Sequence, residues 1–280
     1  MGPGPGSAML QAARLNWLDA TPSPPLGPRD LHVWLIPPGD ADGDDLRPVG
    51  PGGGAGPDGP RVGDERWPAA PNQPQDEGAD ASPLWALLSA REQGRASRIR
   101  LARQRSAYLR VHAGLRLILA GYLGQAPERI RFEQGPQGKP SLPGALEFNL
   151  TTSGDLALVA LRWRWPLGID CERTLANRDH LAIARRLFAP AEVEHLRRAR
   201  DEDRPSLFTR YWTALEARVK LDGRGLFQPP PAAAIPSEVI HFTPQAGYLA
   251  AIASPQPPPL ASWSAWRLAQ RRACKRRCSI

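Results

Sequence analysis

The spacing of apolar residues changes period along this chain, and those changes mark its elements. From Pro166 to Glu172, Leu167, Ile169 and Cys171 alternate with Gly168, Asp170 and Glu172. That period of two predicts a strand whose apolar side chains enter a core and whose two carboxylates share the other face. β-Branched and aromatic runs predict further strands at Leu31–Ile36, which Pro37 and Pro38 stop, and at Arg129–Phe132. Leu146–Leu150 and Leu156–Leu161 flank the polar turn Thr151–Asp155 and read as a hairpin. Glu238–Phe242 and Gly247–Ala253 read as a second one. Elsewhere the period is helical. Short helices are expected at Met9–Leu18, Pro83–Arg95, His180–Leu187 and Ala191–Arg198. A stronger one at Ser106–Leu123 carries the face Tyr108, Val111, Leu115, Ile118, Leu119 and Tyr122. A helix from Pro205 to Leu221 carries Phe208, Tyr211, Trp212, Leu215 and Val219, with Gly223 and Gly225 to stop it.

Composition changes this picture at the ends and in one interior stretch. The 280 residues include 32 prolines and 26 glycines, unevenly placed. Residues 1–29 are expected to be loose. Residues 37–82 lack large apolar groups, cannot offset the entropy of ordering, and are expected to form a disordered insertion. From Ser254 the chain turns Pro-rich and then basic, so 255–280 reads as a tail. The folded remainder divides into 30–162 and 163–254. The net charge of +8 suggests an acidic partner, whether a phosphorylated ligand, a nucleic acid or an acidic protein. Three cysteines, Cys171, Cys274 and Cys278, form no disulfide framework, and the last two lack the second pair that a zinc site needs. The sequence contains no apolar run of membrane-spanning length and no signal-peptide pattern, so the expected setting is the cytoplasm, away from membranes.

Candidate chemistry then falls on a few residues. Asp170 and Glu172 are either a solvated acidic strand edge or the oxygen ligands of a hard divalent cation. Glu216 and Lys220, four apart on one helix, are either a surface ion pair or a carboxylate and an ammonium aimed into a cleft. Arg91, Arg95, Arg98, Arg100, Arg103 and Arg105 are either a solvated basic surface or a phosphate grip. Gly135–Pro140 is a tight turn with one lysine, without the spacing of a P-loop. The hydroxyls of Thr151, Thr152 and Ser153 suit either an ordinary polar turn or phosphate oxygens.

Taken in order, four motifs resemble the 4′-phosphopantetheinyl transferases of the large, surfactin-synthetase-activating class. They are Gly138-Lys-Pro140, Phe148-Asn-Leu-Thr-Thr-Ser153, Leu167-Gly-Ile-Asp-Cys-Glu172, and Tyr211-Trp-Thr-Ala-Leu-Glu-Ala-Arg-Val-Lys220 followed by Gly223-Arg-Gly225-Leu226. The resemblance implies an α+β (α/β) fold of two similar subdomains related by a pseudo-twofold. It implies transfer of 4′-phosphopantetheine from coenzyme A to a serine of an acidic apo carrier protein, with Mg²⁺ as cofactor and adenosine 3′,5′-bisphosphate released. It places Asp170, Glu172 and Glu216 on the metal, Glu216 as base and Lys220 at the leaving phosphate. Gly138, Lys139 and Pro140 would line the adenine pocket. Arg95 would meet the 3′-phosphate, and Thr151, Thr152 and Ser153 would lie along the coenzyme A phosphates. Two positions depart from the family pattern: Thr152 stands where histidine is usual, and Leu215 where lysine is usual. They motivate an alternative, a non-catalytic paralogue that binds coenzyme A or a carrier without turnover. A nucleic-acid-binding role resting on the basic tail has no recognisable motif behind it.

Overall fold

The computed structural model describes residues 12–20, 24–38, 46, 82–135, 137–176, 179–229, 231 and 234–269. The predicted insertion 37–82 lies almost wholly outside these residues, as do the last eleven residues of the tail. Among the described residues the chain is α+β, with five α-helices and several short sheets, and no helix is long and apolar enough to cross a membrane. Two compact units interleave in sequence. The first comprises residues 1–17, 28–33 and 131–265, and the second residues 18–27, 34–130 and 266–280.

The first unit contains a four-stranded sheet in the order β1 (Ala13–Arg14), β9 (Glu238–Thr243), β10 (Tyr248–Ser254), β8 (Gly168–Arg173). The last three strands are antiparallel neighbours, while β1 runs parallel to β9. Trp17 Nε1 donates to Pro244 O, and Thr243 Oγ1 to Ala12 O, tying the N-terminal residues to the sheet. A short helix was expected there; edge pairing with β9 wins because it satisfies backbone groups that an isolated turn of helix would leave to water. The hairpin β6 (Leu146–Ser153) and β7 (Leu156–Trp163) runs in full register from Leu146↔Trp163 to Ser153↔Leu156. The turn is therefore shorter than the polar stretch suggested, and Thr151, Thr152 and Ser153 belong to the strand. The Arg129–Phe132 strand does not form. A 3₁₀ turn takes Pro127–Arg129, and only Glu133–Gln134 (β4) pairs, with Pro140–Ser141 (β5).

Helices α3 (His180–Leu187), α4 (Pro190–Arg198) and α5 (Arg204–Asp222) complete this unit. Pro sits at the first turn of α4 and of α5, where its missing N–H costs nothing. Gly223 ends α5 in the left-handed region at φ 66°. The helix buries two faces. Phe208, Tyr211, Trp212 and Leu215 pack with Ala184, Phe188 and Leu196 of the α3–α4 layer. Ala217 and Leu221 pack on Ala251 and Ala253 of β10. The register pairs Ala253 with Gly168 and Ala251 with Asp170, so the sheet under α5 is floored with small residues. At Gly168 the approach is closest: an added Cβ would collide with the backbone at Ala217 O and Leu221 N.

The second unit holds β2 (Leu18–Ala20), α1 (Ala90–Ser97) and α2 (Ala102–Leu123), with the Trp34–Ile36 end of β3 (Leu31–Ile36) and the Trp266–Leu268 end of β11 (Ser264–Leu268). β2 and β11 pair in parallel through Trp266↔Leu18. Neither strand was expected, since both lie in segments that composition marks as loose. α2 starts four residues earlier than its apolar face suggests. From Ala113 to Gly121 it is buried all round, including Arg116.

The burial of Arg116 is compensated by a network. Glu92 Oε2 accepts from Arg116 Nη2 at 2.7 Å and Nε at 2.9 Å, and from Ser89 N and Oγ. Arg116 Nη1 donates to Pro127 O and Ile130 O. Burial alone would raise the Glu92 carboxyl, but hydrogen bonds from His112, Ser89 and Arg116 outweigh it and hold the group at about 2. A carboxylate held below its unfolded value stabilises the fold above about pH 4.5 and loses that contribution as pH falls toward about 2. Glu92→Gln is therefore expected to cost about 3 kcal/mol at pH 7. The deficit should shrink as denaturation is repeated between pH 5 and pH 3. An unchanged urea midpoint at pH 7 would contradict this account.

Candidate active site

Apart from the six arginines between Arg91 and Arg105, which lie in the second unit, the candidate residues belong to the first. Lys220 sits near the end of α5, where the approach permitted by Gly168 lays the helix against β8. Its Nζ donates to Asp170 Oδ1 at 2.7 Å and to Thr151 Oγ1 at 3.1 Å. Thr151 Oγ1 in turn donates to Asp170 Oδ1 at 3.2 Å. Asp170 is 4 % exposed, and its second oxygen, Oδ2, is buried with no hydrogen-bond partner. Two residues along each strand the pattern repeats: Ser153 Oγ donates to Glu172 Oε2 at 3.0 Å and accepts from Arg173 N. Asn149 Oδ1 accepts from Ile169 N and fixes the level at which β6 meets β8.

Glu216 lies one turn before Lys220, half-buried. Burial raises its carboxyl above the ordinary range; the negative charges of Asp170 and Glu172 add to the rise, and Lys220 opposes it. The three carboxylates thus feel one another electrostatically. Among the described residues no three His, Cys, Asp or Glu side chains stand as a closed set of metal ligands. The physical reason is visible at two of them: an ammonium occupies Asp170 Oδ1, and a hydroxyl occupies Glu172 Oε2. The donor chemistry still suits a hard cation. Asp170 Oδ2 is a buried oxygen lacking any donor, and three acidic groups here face one ammonium.

Beside Lys220 opens a cavity of about 230 Å³ lined by Gln137, Lys139, Pro140, Asn149, Leu150, Lys220, Gly223 and Arg224. Gly135 N donates to Lys139 O and Gly138 N to Gly135 O, closing the turn that carries the lysine. Gly138 takes φ +80°, which favours glycine. Lys139 Nζ donates to Leu167 O and Leu221 O, fastening this turn to the start of β8 and the end of α5. Burial lowers the Lys139 ammonium, which Glu147 and Asp222 partly offset. Arg224, which the sequence reading passed over, lines the same cavity. Its Nε lies 3.1 Å from Asp222 Oδ2, and it donates to Gln228 O.

Three picks fall elsewhere. Thr152 is exposed, on the face of β6 opposite the buried Thr151 and Ser153. Leu215 packs into the aromatic cluster around Phe208, so an apolar residue there has a structural reason. Arg95 belongs to the second unit, on α1, with its guanidinium 5.7 Å over the Tyr108 ring. Gly168 was also passed over, although a glycine inside a strand signals close backbone approach.

Comparison with known proteins bears on what this arrangement serves. A family model described as the 4′-phosphopantetheinyl transferase superfamily matches residues 166–266, which span β8, α3–α5 and β9–β11 apart from its last residues. The Synechocystis sp. protein slr0495 is 36% identical over 145 residues, 50% of this chain and 59% of that one. The 4′-phosphopantetheinyl transferase HetI of Nostoc sp. is 37% identical over 165 residues, 57% of this chain and 68% of its own length. The 4′-phosphopantetheinyl transferase Sfp of Bacillus subtilis is 32% identical over 102 residues, 36% of this chain and 44% of its own. The chain thus matches from under half to about two thirds of these relatives' lengths. The carboxylate strand and the lysine helix lie inside the region that the family model matches, and the chain belongs to the 4′-phosphopantetheinyl transferase superfamily.

Proposed function

We propose that the chain transfers the 4′-phosphopantetheine group of coenzyme A to a serine hydroxyl on an apo carrier protein. The observation that carries this reading is the packing of α5 on Gly168, which seats Lys220, a residue that lines the 230 Å³ cavity, on Asp170, with Glu216 one turn earlier on the helix. In that reaction the serine oxygen bonds to the pantetheine-side phosphorus. The pyrophosphate P–O bond breaks, and adenosine 3′,5′-bisphosphate departs. Charge neutralisation and in-line positioning are the main requirements.

Glu216 takes the serine proton. A carboxylate raised by burial and negative neighbours holds a proton more firmly than an ordinary one. Lys220, already held on Thr151 and Asp170, offers its ammonium to the leaving phosphate. Lys139, Gly138 and Pro140 form the adenine side of the cavity, with Arg224 facing the same space. Thr152, on the exposed face of β6, and Arg95 are the further contacts to coenzyme A that this reading assigns. Asp170, Glu172 and Glu216 would hold Mg²⁺, whose charge would offset that of the pyrophosphate. The reading includes the surfactin-synthetase-activating class, the two similar halves 30–162 and 163–254, and an acidic carrier that suits a chain of net charge +8. Leu215 packs in the helix layer, so its departure from lysine does not by itself argue against turnover.

Incubation with coenzyme A, Mg²⁺ and apo carrier domains is expected to add the phosphopantetheine mass to the carrier serine. No mass gain on acyl, peptidyl and aryl carriers alike would overturn the reading.

A further inference from the structure

We propose that the β6 hydroxyls of Thr151 and Ser153 are positioning residues for the β8 carboxylates, setting Asp170 and Glu172 to receive one divalent cation. The inference rests on the proposed function and deepens it, and it reassigns the two hydroxyls that the sequence alone offered to coenzyme A phosphates.

The argument begins with register. Residues two apart on a strand share a face, and β6 presents Asn149, Thr151 and Ser153, all buried, on one face. Asn149 Oδ1 takes the backbone N–H of Ile169, which fixes how the two strands are aligned. Each hydroxyl then meets one carboxylate: Thr151 meets Asp170 at 3.2 Å, and Ser153 meets Glu172 at 3.0 Å. A hydroxyl has one proton to give and lone pairs to receive. Thr151 uses both, donating to Asp170 Oδ1 and accepting from Lys220 Nζ at 3.1 Å. Ser153 likewise donates to Glu172 and accepts from Arg173 N. Neither hydroxyl has a donor left for a ligand phosphate.

The consequence is directional. With Oδ1 of Asp170 engaged by Thr151 and Lys220, the carboxylate plane is fixed and Oδ2 is left buried without a donor. Groups hydrogen-bonded to a ligating side chain orient it in this way and govern its affinity for the ion.

The test measures Mn²⁺ binding to the full chain without coenzyme A, by calorimetry and by the loss of free Mn²⁺ electron paramagnetic resonance signal. Thr151→Val keeps the branched shape and removes the hydroxyl; Ser153→Ala is the second probe. Each is expected to weaken Mn²⁺ binding by about 10- to 100-fold with an unchanged circular dichroism spectrum, and Thr151→Ser to restore binding. Asp170→Asn is expected to lose it. Parent-like affinity in both hydroxyl variants, with Asp170→Asn weakened, would overturn the positioning role and leave the carboxylate site standing. Parent-like affinity in Asp170→Asn, or no Mn²⁺ binding by the parent, would overturn the carboxylate site and the positioning role together. The carrier mass assay on the parent judges transfer separately.

Discussion

Gly168→Ala is expected to destabilise the protein by more than about 4 kcal/mol, the range reserved for gross steric or charge errors in a core. The added methyl would overlap Ala217 O and Leu221 N and lie 3.0 Å from Lys220 C. These are backbone atoms of a helix and cannot rotate aside as a side chain would. Relief requires α5 to move off the sheet. That costs the packing of Ala217 and Leu221 on Ala251 and Ala253, and it draws Lys220 away from Asp170. A displacement of order 1 Å at a catalytic group lowers rates by about 10²-fold. Stability and transfer should therefore fall together, read as a urea midpoint and as the rate of carrier mass gain. A Gly168→Ala protein with the parent's midpoint and rate would show that α5 does not press on β8 as described.

Much of this arrangement was legible in the sequence wherever one element carries its own signal. The alternation from Leu167 to Glu172 yields β8, and the stripe from Phe208 to Val219 yields α5, because burial of one face imposes a period on each. Glu216 and Lys220 could be placed on one helix by spacing alone. Their meeting with Asp170 could not, since it depends on Gly168, Ala251 and Ala253 providing a floor low enough for a helix. Thr151 and Ser153 looked like turn residues because the hairpin register that makes them strand is set by their partners Leu158 and Leu156. Three short strands near the ends carry little signal of their own for a related reason. β1, β2 and β11 are two to five residues long and exist through pairing with distant strands. Ser264–Leu268 buries Ala265 and Leu268, three apart, so it lacks the period of two that marks a strand, and it is short and set among prolines and arginines. Arg116, polar on paper, occupies the core because Glu92 and two backbone carbonyls take four hydrogen bonds from its guanidinium.

Glu216→Gln is expected to lower the transfer rate by about 10²- to 10⁴-fold, the usual contribution of a positioned base, with little change in coenzyme A affinity. The substitution keeps shape and removes both the charge and the ability to accept a proton. The Glu216 carboxyl is raised by burial first and by Asp170 and Glu172 next, so at neutral pH its ionised form is a charge the fold tolerates at a cost. The sign of the linkage follows: a carboxyl raised in the folded state favours folding fully below its unfolded value and loses that contribution as pH rises through the folded one. At pH 7 the Gln variant, free of that charge, should melt at or above the parent's temperature. Below about pH 4, where the parent's carboxyl is protonated, the two should converge. Loss of transfer with undiminished stability assigns the defect to chemistry, because a merely structural Glu216 would leave the rate intact or lower the melting temperature with it. A Gln variant that modifies its carrier at the parent's rate would remove Glu216 from the reaction and leave Asp170 and Lys220 to be tested as the proton-handling pair.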